Sequence, residues 1–404
     1  MPDYKGIDYL RKKLATKAGR VMIRYKYYDM KQVVKDFGIS TPPDLRHFME
    51  TLGWCAKAVD SLADRLCFQQ FENDVFDMNG VFAANNMDVL IDSAILGALI
   101  SACDFIYITA DESGFPQMRV IDGKHATGII DPTTNMLKEG YAIIEFDEWD
   151  KPLVEAYFVP GATTIYENGR EAYTVTNVAP YPLLVPVIYR PDATRPFGHS
   201  RISRACMSIV NSAIRTVKRS EIAAEFYSYP QKYVLGMDPD VEKMDKWRAS
   251  MSSMLRIDKD EDGDHPVVGQ FQQQTMGPHM EQLRMFAGAF AGETGLTLDD
   301  LGFPSQNPSS SEAIRASHET LRLTARKAQR TFGVGLLNAG YLAACVRDDY
   351  PYMRRQVSNT RLMWAPIFEP DVTALSGIGD AVQKIQTSFP DYFTEDKLRE
   401  LTGI

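Results

Sequence analysis

The sequence predicts an α+β fold, mainly helical, in which two long helices bracket a shorter segment and a small antiparallel β insertion precedes them. Three observations predict it. Residues 196–229 read PFGHSRISRACMSIVNSAIRTVKRSEIAAEFYSY, a helix entered through a Pro-Phe-Gly turn, with Ser200 as N-cap and Pro230 as its stop. Pro278 opens a second long helix, PHMEQLRMFAGAFAGETG, whose Gly and Ala residues let another helix approach closely. Between Ala102 and Tyr189 lie short runs such as DFIYITAD, QMRVID, ATGIID, YAIIEFDE, LVEAYFV, TTIYEN and EAYTVTNV, punctuated by Gly and Pro as in a small antiparallel sheet or barrel. Asn168-Gly169 is the clearest two-residue hairpin turn among them.

The first long helix has two unlike faces. At about 100° per residue, Ile202, Cys206, Ile209, Val210, Ala213, Ile214 and Val217 fall on one side. Arg201, Arg204, Arg215, Lys218 and Arg219 crowd into an arc of about 100° on the other. Like charges three or four residues apart cost a few tenths of a kcal/mol each in an isolated helix. Glu221 and Glu225 point off this arc and do not relieve it. The stripe therefore has three possible fates: a solvated face, ion pairs with another subunit, or contact with DNA phosphates.

Elsewhere the pattern is mostly helical. Residues 1–48 read as polar helix with a Tyr-rich patch at Tyr25, Tyr27 and Tyr28, which fits packing on a neighbouring element better than base stacking. Pro42 and Pro43 break the chain before Asp44 opens a helix with Leu52, Cys55, Val59, Leu62 and Leu66 on one stripe. A further helix covers about Asn86 to Leu99. After Tyr229, extended segments are expected around Lys232–Leu235 and Val267–Phe271, with a helix from about Pro239 to Leu255. Ser309 and Glu312 form a capping box for a helix running to about Cys345, and helices resume near Val372.

Composition narrows the function. The chain has 404 residues, 45% hydrophobic and 24% charged, as in an ordinary folded protein of two or three packing units. Its longest apolar run, Val89 to Ile108, is interrupted by Asp92 and Asp104, and the basic N-terminus lacks the apolar core of a signal peptide; no membrane association is expected. Five scattered cysteines without a C-x-x-C read as core thiols of a reducing compartment. A net charge of -9 argues against a protein that reads DNA by neutralising phosphates, yet it suits a conduit whose surface keeps the duplex mobile.

Motifs that resemble chemistry fail on inspection. Asp258, Asp260, Asp262 and Gly263 match the first half of a calcium loop, but Gly269 stands where the bidentate Glu belongs, so a solvated acidic loop is expected. GAFAGETG lacks the Lys of a phosphate loop, and GVGLLN lacks the strand and third glycine of a dinucleotide site. The six histidines show no metal-ligand spacing, no G-x-S-x-G is present, and Asp131 with His125 is only a scattered pair. No catalytic residues, metal or cofactor are expected.

The run PFGHSRISRACMSIVNSAIRTVKRSEIAAEFYSYPQKYVLG resembles a segment of tailed-bacteriophage portal proteins, the SPP1-like head-to-tail connectors. WCAKAVDSLADRL, LLVPVIY and LGFPSQNPSSSEAIRASHET agree with it in order and spacing. The resemblance implies a wing at 1–195, stem helix 1 at 196–229, a clip at 230–277, stem helix 2 at 278–296 and a tunnel loop at 297–310. A long wing helix at 311–348 and a short crown-like region at 349–404 follow. It further implies a closed ring of about a dozen identical subunits at one capsid vertex. Double-stranded DNA would be packaged and ejected through that ring without sequence reading, and Phe303, Ser305, Gln306, Asn307, Ser309 and Ser310 would face it from the tunnel loop. Implied partners are the large terminase subunit, a head-completion or adaptor protein, and the major capsid and scaffold proteins, in a virion made in a host bacterial cytoplasm. Another capsid-associated adaptor or scaffold, or a soluble enzyme, are the alternative readings.

Overall fold

The computed structural model describes residues 4–35, 47, 49–228, 232–235, 267–270, 275–304, 311–368, 372–389 and 392. The chain divides into two compact units. The first comprises Met1–Gln32, Gly53–Met207 and Thr294–Ile404, and the second Val33–Leu52 and Ser208–Glu293.

In the first unit, α1 (Ile7–Tyr28) buries Leu10, Leu14 and Val21 along one stripe. Leu10 and Leu14 pack on Tyr141, with Ile129, Ile143 and Tyr157 around them. Gly6, at the N-cap, has no side chain to satisfy the first amides of the helix. The Glu139 carboxylate does so from a distant strand, accepting from Lys5 N at 2.9 Å and Gly6 N at 3.1 Å. Next come α2 (Trp54–Ala63), β1 (Phe68–Glu72), α3 (Met78–Ala84) and α4 (Met87–Ser101). Asp44, the expected start, lies outside the described residues; the helix that carries the stripe begins at Trp54, and residues 49–52 are not helical. The buried stripe of Cys55, Val59, Leu62 and Leu66 is nonetheless the expected one.

Eight strands then form two antiparallel sheets: β2 (Cys103–Ala110), β3 (Pro116–Ile121), β4 (Ala126–Ile130), β5 (Leu137–Phe146), β6 (Pro152–Val159), β7 (Ala162–Glu167), β8 (Arg170–Thr176) and β9 (Leu184–Ile188). One sheet has the order β3-β2-β9 and the other is the meander β4-β5-β6-β7-β8. Asn168 (φ 50°) and Gly169 (φ 78°) turn β7 into β8 with Glu167 opposite Arg170, the expected hairpin.

The second unit holds nearly all of α5 (Arg204–Ser228) and α6 (Gly277–Thr294), with β10 (Lys232–Leu235) and β11 (Val267–Gln270) antiparallel between them. Lys232 pairs with Gln270 and Leu235 with Val267. The expected helix at 239–255 and the acidic loop at 258–263 lie outside the described residues.

Back in the first unit, α7 (Ser311–Ser317) and α8 (Glu319–Arg347) replace the single long helix expected after Ser309, with a break at His318. Gly335 of α8 lets the helix approach β9 closely: an added Cβ would sit 3.0 Å from Pro186 O. Strand β12 (Arg361–Trp364) pairs with β1, and α9 (Val372–Ser388) follows. Cys55, Cys103, Cys206 and Cys345 are buried free thiols as expected, whereas Cys67 is exposed. Among the described residues no single helix is long and apolar enough to cross a membrane; α3 and α4 reach the length only as a pair bent by 87°.

Candidate functional site

The motif that opens α5 folds as an anchored turn. Asp192 accepts hydrogen bonds from Thr194 N, Thr194 Oγ1 and Arg195 N, and its other oxygen lies 2.5 Å from His199 Nε2. The His199 hydrogen bond, then that from Thr194, holds the Asp192 acid well below the usual carboxylate range. Gly198 adopts φ 75°, and a Cβ there would lie 2.0 Å from Tyr189 O, so only glycine fits. Ser200 Oγ donates to Ile100 O at 2.6 Å and accepts from Ile202 N at 3.0 Å. Ser200 is therefore not the N-cap. Ser203 is, with Oγ accepting from Cys206 N at 3.1 Å.

This turn also removes Arg201 from the basic stripe. Arg201 precedes α5 and is only 8% exposed. Its Nε donates to Ala58 O at 3.2 Å and its Nη2 to Thr294 O at 2.5 Å, at the last residue of α6. Its guanidinium serves carbonyls of its own chain. Of the remaining stripe residues, Arg204 is exposed, Arg215 and Arg219 are half-buried, and Lys218 is buried. Arg215 Nη2 donates to Ser212 Oγ at 3.0 Å. On the opposite face Cys206, Val210, Ala213 and Ile214 are buried, while Ile209 and Val217 are half-buried. Within the second unit Thr216, 2% exposed, donates to Gln282 Oε1 of α6 at 2.9 Å.

Helix α6 buries Ala287, Phe290 and Ala291 and leaves its other side open. Met280 and Met285 are 67% and 59% exposed, and Gly288 and Gly292 meet no atom within 4 Å of an added Cβ.

The segment after α6 starts from a firm base. Thr297 N and Oγ1 both donate to Asp300 Oδ2 at 2.9 Å, a short 3₁₀ turn spans Asp299–Leu301, and Leu296 and Leu301 are buried. His318, where the chain re-enters, places Nδ1 3.8 Å from Asp300 Oδ2. Phe303 is half-buried; Ser305, Gln306, Asn307, Ser309 and Ser310 lie outside the described residues. Sequence reasoning missed the roles of Asp192, Ser203, Asp300 and His318. Of these only Ser203 carried a local signal, as a cap three residues before Cys206.

Among the described residues no group of three or more His, Cys, Asp or Glu is placed to hold a metal ion.

No protein-family model matches the sequence. Over 327 residues the chain is 23% identical to the portal protein of Mycobacterium phage L5, spanning 76% of this chain and 67% of that protein. It is 22% identical, with the same coverage, to the portal protein of Mycobacterium phage D29. Among solved structures it is similar to a chain in the neck of an empty gene transfer agent particle computed with C6 symmetry. The TM-score is 0.49 at 14% identity, covering 91% of this chain and 95% of that one. A chain in the neck of the native particle computed with C12 symmetry gives a TM-score of 0.45 at 14% identity, covering 96% and 99%.

Proposed function

We propose that this chain is a portal protein, the subunit of a ring through which double-stranded DNA enters and leaves a phage capsid. The observation that carries the reading is its similarity over 327 residues to two curated portal proteins. The helices agree with it. A ring stem needs helices that pack within the subunit on one face and against a neighbouring copy on the other. Helix α6 has one buried face, and opposite it exposed methionines and bare glycines. The occupant of that open face is a second copy of this chain, in a closed ring of about a dozen subunits.

In this reading the protein performs no bond chemistry. Arg204, Arg215 and Arg219 pair with carboxylates of the neighbouring subunit or with DNA, while Arg201 and Lys218 are buried within the chain. The tunnel loop, Phe303, Ser305, Gln306, Asn307, Ser309 and Ser310, faces the duplex with uncharged groups, so weak contacts spread over many subunits trap no single register. The anchored base at Thr297–Leu301 fixes where the loop departs. Terminase, a head-completion protein, capsid and scaffold are the partners, and the location is the portal vertex of a virion.

Two experiments test this. Proline at Ile209 or Phe286 removes a helical hydrogen bond in α5 or α6 and costs about 3 kcal/mol locally. Both variants are expected to lose ring assembly; a capsid adaptor of another kind would tolerate them. Shortening the loop between Phe303 and Ser311 is expected to impair DNA packaging and retention, and unchanged packaging would remove the loop from the DNA path.

A further inference from the structure

A cavity of about 570 Å³ lies within the first unit, between α1, α4 and the β2–β3 edge of the three-stranded sheet. Its apolar wall includes Leu96, Ile100 and Met118. Its charged lining is three carboxylates, Asp29, Asp104 and Asp122, against one cation, Arg119.

Asp104 is the unusual member. It is 2% exposed, on β2 beneath α4. Ser101 Oγ donates to its Oδ1 at 2.8 Å and Gly123 N at 2.9 Å. Its Oδ2 takes no hydrogen bond among the described residues and lies over Gly97, where a Cβ would approach to 1.7 Å. Any other residue at 97 would displace this carboxyl, so the glycine keeps a buried oxygen at the cavity wall. Tyr25 lines the same cavity, and burial, then Asp104, Asp122 and Asp29, push its hydroxyl pKa up.

We propose that this cavity binds an organic cation, an alkyl guanidinium or alkyl ammonium group, with its stem on the apolar wall and its charge toward Asp104, Asp122 and Asp29. A divalent metal fits poorly, because hard cations need several oxygens converging on one point and, among the described residues, no three His, Cys, Asp or Glu are placed to do so. A bare cation would also leave the apolar wall wet. An alkyl cation answers both features. The two natural sources are a free polyamine and a Lys or Arg side chain of a partner polypeptide. The proposal does not rest on the portal reading, because every lining residue belongs to the first unit.

The site carries a pH signature. Burial pushes Asp104 up to about 8, with Asp122 adding to the shift and the Ser101 and Gly123 hydrogen bonds opposing it. The other charged or titratable groups around it are Tyr25, Tyr28 and Asp29 from α1 and its end, Arg119 from β3, and Asp122, whose Oδ2 lies 3.0 Å from His125 Nδ1; Arg24 donates to the neighbouring Ser101 O at 3.2 Å. Below pH 8 a bound cation must displace the Asp104 proton, so binding should tighten as pH rises from 6 to 9.

The test is calorimetric titration of the full chain with butylguanidinium, with n-butanol and free guanidinium as controls. The expected result is one saturable site at about 1 mM or tighter, with proton release at pH 7 and at least about tenfold weaker binding of both controls. Asp104→Asn and Ser93→Trp, the second a plug at the lining that leaves the acid in place, should each abolish it without lowering the unfolding temperature. Absence of saturable binding, or binding that survives both substitutions, overturns the proposal. Putrescine and N-acetyl-arginine-N-methylamide then identify the source: preference for the first assigns a polyamine and for the second a basic side chain, while binding of neither overturns it.

Discussion

The two units treat polar groups differently. In the first, Glu139 and Glu155 are 1% and 5% exposed, and each sits among donors. Glu139 caps α1 and accepts from Tyr157 Oη at 2.8 Å, and Glu155 binds Arg11 at 2.6 Å and the hydroxyl of Tyr141. In the second, α6 leaves methionines and bare glycines at its surface. Glutamates held among donors of their own unit need no partner, whereas a helix with an open face of this kind is built to be covered. On the proposed function, the open face of the second unit is where a neighbouring copy packs, while the first unit keeps its buried glutamates among its own donors.

The comparison can be broken first at Asp104, where the largest effect is expected. The folded chain holds this proton up to about pH 8, against 3.8 for an ordinary aspartate. Between those values the native state binds more protons than the unfolded state, so stability falls as pH rises. Asp104→Asn should remove that dependence. It should match the parent near pH 4 and exceed it by several kcal/mol near pH 9, as read by urea unfolding across pH.

Glu155→Ala should cost about 3 kcal/mol by leaving Arg11 and the Tyr141 hydroxyl without their acceptor. Chemical unfolding checks it, and a loss confined to second-unit probes would contradict the assignment. Gly198→Ala should cost about 2 kcal/mol or more, since a Cβ collides with Tyr189 O at a positive φ. An unchanged melting temperature would show that the turn is not the anchor described.

The smallest effect sharpens the contrast most. Gly288→Ala and Gly292→Ala meet only open space in the single chain and should raise its stability by about 0.5–1 kcal/mol each through helix propensity. In the ring the same methyls should weaken subunit packing. A variant that is both more stable and equally able to assemble would take this face out of the interface.

Much of the fold was legible in the sequence because its signals are local. The β insertion was found from punctuation alone, down to the Asn168-Gly169 turn, and the bounds of α6 from Pro278 and Gly295. What was not legible depends on distant partners. Glu139 caps a helix more than a hundred residues away, and β1 pairs with β12 from the far end of the chain. Arg201 looked like the first member of a basic stripe because a helical wheel assumes that the helix has begun. Three-dimensional contacts with Ala58 and Thr294 decided otherwise. The Pro-Phe-Gly-His-Ser-Arg run, on which the resemblance rested, proved to be a structural turn.

The measurement that tests the central claim most directly is negative-stain electron microscopy of the purified protein, with its solution mass determined on the same sample, alone and with scaffold and capsid proteins added. The account predicts closed rings of about a dozen subunits around a hole wide enough for duplex DNA. A chain that stays monomeric with both partners present would contradict it.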